Sequence, residues 1–223
     1  MKEFVKIELK KISLKNQVKR LIIVNIAILF LLSVFFVPSI VQGETVDFYV
    51  FTDMIVKSTF VVWQAVLISS MIIEEFKAKT IMQLYTYPIK RSLIIGVKLG
   101  LIAAITLSFS LITHAIQHSL LTVGAGLIPQ FSYPLSMQYL LSIVLSLPFL
   151  VMIGMMPLTV GLWMKSTIAP VVTSMIVVSL LANMSPDSMP MITNLIAVGI
   201  MGVLSMTFVM ISIKDMVKND LIV

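Results

Sequence analysis

Three sets of side chains in this 223-residue chain have the types and spacing for chemistry: Glu74 with Glu75, Asp53 with Lys57, and His114 with His118. Adjacent carboxylates suit general acid–base work if a base or nucleophile lies within hydrogen-bond reach. With two histidines and no cysteine in the chain, the imidazoles are the natural partners. From Ser92 to His114, however, is 22 residues of apolar sequence, roughly 33 Å of helix at ~1.5 Å per residue. Carboxylates and imidazoles then face opposite sides of a membrane, and acid–base catalysis between them fails on distance. His114 and His118, at i and i+4, could chelate a metal from one helix face, but no further His or Cys completes a site. No metal, cofactor-binding or catalytic residue is therefore expected. Asp53, four residues before Lys57, reads as a local helical ion pair.

The elements that hold these residues follow from composition. The chain is 59% hydrophobic and 12% charged, with a mean hydropathy of +1.07, against roughly 45–50% and about 25% for a soluble domain. A water-soluble fold leaves too much surface in solvent to hide this much apolar area. The chain reads as an all-α integral membrane protein forming one transmembrane domain over residues 1–223. Runs of ~20 apolar residues span a bilayer as a helix, and six are expected: about 21–41, 50–73, 92–116, 137–163, 167–183 and 191–213. Each is apolar all round, which favours helices over a barrel.

Charge sets the expected orientation. With both termini cytoplasmic, fifteen of the sixteen Lys and Arg residues fall inside and only Lys57 outside, as the positive-inside rule asks. The net charge of +6 thus flanks membrane spans, and no nucleic-acid partner is expected. Residues 1–20, rich in Lys with interspersed Phe4, Ile7, Leu14 and Val18, suggest an amphipathic helix on the inner leaflet. The uncharged His118–Leu135 stretch, with Gly124, Gly126, Pro129 and Pro134, is expected to be an outer loop hugging the membrane, and Asn183–Pro190 a turn. Pro148, Gly154 and Pro157 mark the fourth span as kinked. Asn25, Trp63 and Gln64 lie within spans and could contact cargo or, as easily, neighbouring helices.

The interlude EEFKAKTIMQLYTYPIKR, Glu74 to Arg91, stands apart. Ile81, Leu84, Tyr85 and Pro88 recur at i, i+3, i+4 and i+7, a helical apolar stripe opposite Thr80, Gln83 and Thr86. Such a helix, parallel to the membrane, is too small to be a core and calls for a partner, whether lipid, helix ends or another protein. Here the residues resemble the ABC-2 type permeases, the membrane subunits of many ABC exporters. The matching positions are Glu75, Lys79–Thr80, Leu84, Pro88, Arg91 and Lys98, with Lys79 where many members have Gly and Lys90–Arg91 where Ser–Arg is frequent. The resemblance implies that the interlude is a coupling helix between spans two and three. The segment comprising Glu74, Glu75, Lys79, Thr80, Ile81, Leu84, Tyr85, Pro88 and Arg91 would then dock into a cytoplasmic ATPase. Charges at its rim would select register and partner.

The chain holds no G-x-x-x-x-G-K-[ST] motif, so it is not expected to be an enzyme, and ATP and Mg²⁺ would belong to a partner ATPase present in two copies. A second permease, identical or paralogous, would complete the path in a bacterial plasma membrane. Family likeness further suggests export of amphipathic antimicrobial peptides or lipophilic antibiotics. Competing readings are a stand-alone immunity or scaffold protein, an ion-coupled transporter and an intramembrane protease. The last rests on the similarity of Glu74–Glu75 to the EExxxR opening of CAAX-type proteases, but Lys79 replaces the Arg. Ion coupling usually leaves carboxylates inside spans, and only Asp53 qualifies.

Overall fold

The computed structural model describes residues 13–42, 48–77, 91–128, 131, 133, 136–182 and 191–219. All of its regular elements are helical, and among the described residues there is no strand. In lipid, a helix is the one open-ended element that satisfies every backbone group within itself. In chain order they are α1 (Leu14–Gln42), α2 (Phe48–Ile68), a π-helical turn (Ser69–Ile73), α3 (Glu74–Lys77), α4 (Arg91–Leu127), α5 (Met137–Ile153), α6 (Pro157–Met164), α7 (Ala169–Ala182) and α8 (Met191–Asn219).

α1 starts directly after Ser13, whose positive φ of 48° turns the chain into the helix. The Ser13 carbonyl accepts from the amides of Asn16 and Gln17. Residues Leu14 to Arg20, expected to lie along the membrane, instead form the first turns of the helix that carries the span. No Pro or Gly separates Lys15 from Leu21, so nothing ends one helix and begins another. Residues 1–12 lie outside the described residues.

α2 is the central element, packed against α1, α4, α5, α6 and α7. Val56, Phe60, Ala65 and Ile68 are among its fully buried residues, spaced so that they cover more than one face. α1 and α8 instead turn long apolar rows outward, among them Ile22, Ile26 and Phe30, and Ile196, Ile200 and Leu204.

Five segments are long and apolar enough to cross a membrane: Lys15–Ser39, Phe48–Ile73, Leu93–Leu127, Met137–Met164 and Thr193–Asp215. The segment expected as a further span near 167–183 is α7, an apolar helix of 14 residues, about 21 Å long against a hydrocarbon core of about 30 Å. Pro170 stands in its first turn, and it packs on α2 and α6.

The expected loop from His118 is also different. α4 runs unbroken for 37 residues to Leu127, through Gly124 and Gly126, about 56 Å of helix. A glycine weakens a helix by only about 1 kcal/mol; a proline stops it, and Pro129 follows. Beyond the helix, Phe131 and Tyr133 are buried in the bundle, with Phe131 edge-on to Phe48 (5.3 Å) and Phe48 edge-on to Phe36 (4.4 Å).

The expected kink in the fourth span is a break. Turns at 154–156 separate α5 from α6, and Pro157 begins the second piece. There the Met155 amide bonds to Met152 O rather than to Val151 O. The released Val151 carbonyl accepts from Gln64 Nε2 of α2 at 2.9 Å. Gly154 makes room for that amide, since a Cβ there would lie 2.3 Å from Gln64 Oε1. Asn25 likewise crosses helices, donating to Thr113 Oγ1 at 3.1 Å and accepting from Gln117 Nε2 at 3.2 Å.

Gln64→Leu would orphan the Val151 carbonyl and is expected to lower stability by about 1–3 kcal/mol, read as a reduced unfolding midpoint in detergent. Gly154→Ala displaces the same amide. The double variant should therefore fall well short of the sum of the single losses, and full additivity would sink the coupling.

Candidate functional site

Side chains cap backbone carbonyls at irregular points of this bundle, and two such carbonyls, of Met71 and Thr167, lie near the Glu75 end of α2. Through the π turn the Glu74 amide bonds five residues back, to Ser69 O. Such a turn leaves carbonyls without their ordinary i+4 donors. The Met71 carbonyl is met by Lys98 Nζ of α4 at 3.1 Å. The same ammonium forms an ion pair with the Glu75 carboxylate, and both side chains are buried, Lys98 at 2% and Glu75 at 8% exposure. Nearby, Ser69 Oγ donates to Thr167 O in the α6–α7 connection at 2.5 Å. That connection turns on Lys165, in the left-handed conformation.

The junction is closed by Gly161 of α6. A Cβ there would stand 2.6 Å from Pro170 Cγ and 3.1 Å from Ile73 Cδ1. α6, α7 and the π turn thus meet with no room for a methyl group.

Of the residues singled out in the interlude, Glu74 lies exposed in the first turn of α3, Glu75 is buried beside it, and Arg91 opens α4. Lys79, Thr80, Ile81, Leu84, Tyr85 and Pro88 lie outside the described residues. The sequence pattern named Glu75 and Lys98 as separate positions; the fold joins them. It gave no hint of Met71, whose contribution is a backbone carbonyl, or of Ser69. A Ser-Ser pair one turn ahead of buried carboxylate chemistry was the available signal for the latter.

The histidines lie at the other end of α2 and α4. His114 and His118 stack with ring centres 5.6 Å apart and planes within 9°. Asp53 pairs with Lys57 at 2.7 Å, as its spacing suggested, and its second oxygen lies 3.8 Å from His114 Nε2. His118 Nδ1 meets Tyr133 Oη at 2.5 Å. Burial raises the Tyr133 phenol above its ordinary range, so it stays protonated at any physiological pH. Along α4, Lys98 and His114 are 16 residues apart, about 24 Å. Glu75, held by Lys98, is thus out of reach of both imidazoles. Among the described residues, no group of three or more His, Cys, Asp or Glu is placed to hold a metal ion.

A family model described as ABC-2 family transporter protein matches residues 4–181, most of the chain. The chain belongs to the ABC-2 family. It is therefore the permease component of an ABC transporter and a multi-pass membrane protein, and permeases of this family generally work with an ABC ATPase partner. A curated relative is YcbO of Bacillus subtilis (strain 168), an uncharacterized protein 25% identical over 191 residues, covering 82% of this chain and 84% of that one. No solved structure matches the chain.

In this permease the buried pair can be tested directly. Lys98→Met removes the cation beside a buried carboxylate and is expected to destabilise by about 3–5 kcal/mol; Glu75→Gln with Lys98→Met should recover most of that loss. Detergent unfolding of both singles and the double gives the coupling energy. Independently, Gly161→Ala is expected to cost about 1–3 kcal/mol through overpacking against the Pro170 ring, and a neutral result would refute the close junction.

Proposed function

We propose that this permease is the membrane subunit of an ATP-driven exporter. It works as a dimer with two separate ATPase subunits, which bind ATP and Mg²⁺, and has both termini on the cytoplasmic side of a bacterial plasma membrane. The observation that carries the reading is the buried Glu75–Lys98 pair, which ties α3 to α4 on either side of residues 78–90. A force applied to that segment by an ATPase would reach α2 and α4 together, because the charges cannot separate inside the bundle without large desolvation losses.

In this reading residues 74–91 form the coupling helix, with Ile81, Leu84 and Tyr85 as its gripped face and Glu74, Lys79 and Arg91 at the rim. α7 acts as the sixth span, an apolar helix of 14 residues that returns from the α6 turn. The exported molecules are amphipathic peptides or lipophilic antibiotics. A groove of about 510 Å³ between α1, α2 and α7 supports this, since Gln17, Arg20, Ser58, Thr59 and Trp63 share it with Val24, Val62 and Val66. Such a wall offers polar contacts at intervals along an apolar surface, which suits an amphipathic cargo.

Affinity purification in mild detergent tests the assembly. An ABC ATPase is expected to co-purify, and Leu84→Asp with Tyr85→Asp should abolish that association while the permease keeps its unfolding midpoint. Association unchanged by these substitutions would remove the segment from coupling. A wild-type permease that retains no ATPase would instead leave a stand-alone immunity or scaffold protein.

A further inference from the structure

A second groove, of about 540 Å³, runs between α4 and α5 at the Asp53 end. Its walls are mostly apolar: Leu111, Ala115, Val123, Leu140, Ile143 and Val144. Leu111, Val123 and Val144 are also exposed on the outer face of the bundle, so the groove opens sideways, toward the surrounding lipid. His114 and His118 line it as well, each only 4% exposed. Neither His114 nitrogen has a hydrogen-bond partner, nor does His118 Nε2. Buried polar atoms of this kind are normally satisfied, and a mostly apolar groove lined by two histidines that carry several unsatisfied ones suits a ligand with a polar head.

The polar atoms decide which head. Ser119 and Thr122, also in the lining, spend their hydroxyl hydrogens on the Ile116 and His118 carbonyls at 2.9 and 2.7 Å, so their oxygens are left to accept. Asp53 Oδ1 sits 3.8 Å behind His114 Nε2. That carboxylate favours the tautomer with hydrogen on Nε2, leaving Nδ1 as an acceptor. Lys57 is occupied by the other Asp53 oxygen, and both line a separate cavity between α2, α5, α7 and α8. An anion would meet, apart from His118 Nε2, acceptor atoms backed by a carboxylate. A protonated amine would meet three acceptors and a favourable field.

We infer that the α4–α5 groove is a lateral binding site for an amphiphile with an N–H-bearing ammonium head and an apolar tail, received by His114, Ser119 and Thr122. Two sources share this chemistry: a bilayer lipid with a primary amine headgroup, and a cationic lipophilic molecule arriving from solution. The site is a property of this chain alone and stands or falls independently of the exporter reading.

Because the chain has two histidines, imidazole ¹⁵N NMR of the protein in phosphatidylcholine nanodiscs reads the site directly. Dodecylammonium is expected to shift the His114 ring nitrogens saturably. Dodecyltrimethylammonium, which has the charge without an N–H donor, and dodecyl phosphate should not. His114→Leu should weaken binding about tenfold or more, read from competition of unlabelled dodecylammonium against a fluorescent alkylamine. Ala115→Phe, at an exposed position in the groove, should block binding with every polar atom retained. In phosphatidylethanolamine nanodiscs, a His114 shift present before any titration assigns the site to lipid; an unshifted His114 that still takes dodecylammonium assigns it to a soluble amphiphile. No shift with either amine, an equal shift with the trimethyl or phosphate probe, or binding that survives Ala115→Phe overturns the proposal.

Discussion

A lysine and a glutamate buried in an apolar bundle can stay charged only by staying together. Transferring either ion from water into this interior is costly, and their mutual attraction plus hydrogen bonds must offset it. The Lys98 ammonium therefore gathers the Glu75 carboxylate and the Met71 carbonyl into one small volume. That requirement fixes the axial position of α4 against α2, at the level of the π turn. Much of the rest is arranged around this constraint, including the close approach of Ile73 to Gly161 and of Ser69 to Thr167.

The same logic recurs wherever the backbone departs from a regular helix. At the α5–α6 break Gln64 takes up Val151 O, and at the α6–α7 turn Ser69 takes up Thr167 O. Both donors sit on α2 or its π extension, and the third, Lys98, sits on its neighbour α4. α2 is thus central in a chemical sense as well as a geometric one: it supplies the hydrogen bonds that permit the fourth span to break. Each such bond joins helices through a single polar contact between apolar faces. Contacts of that kind add register to helices already packed through a continuous apolar core.

Composition and charge were enough to read a helical membrane bundle, because lipid leaves few alternatives to a hydrophobic helix. The Asp53–Lys57 pair and the crossing roles of Asn25 and Gln64 followed from spacing and from polarity within a span. The misreadings have specific causes. Gly124 and Gly126 look like breakers in the sequence, but glycine merely weakens a helix, and Thr122 bonds back to His118 O within α4. Leu14–Arg20 were separated from the first span because lysines interrupt the hydropathy, whereas nothing interrupts the backbone. The π turn was invisible: Ser-Ser-Met-Ile-Ile carries no helix-breaking residue. Of the candidate coupling residues, Glu75 gained a definite partner, while Lys79 to Pro88 fall outside the described residues.

The two ends of the bundle solve the problem of buried polarity in opposite ways. At the Glu75 end, opposite charges and released carbonyls consume one another. At the Asp53 end they do not: Asp53 Oδ1, both His114 nitrogens and His118 Nε2 are buried without hydrogen-bond partners, although Asp53 and Lys57 balance in charge. A bundle held only for stability would gain by replacing those histidines with apolar side chains, since each unsatisfied buried polar atom is a net loss. The Asp53 end retains hydrogen-bonding capacity that the described side chains around it leave unused.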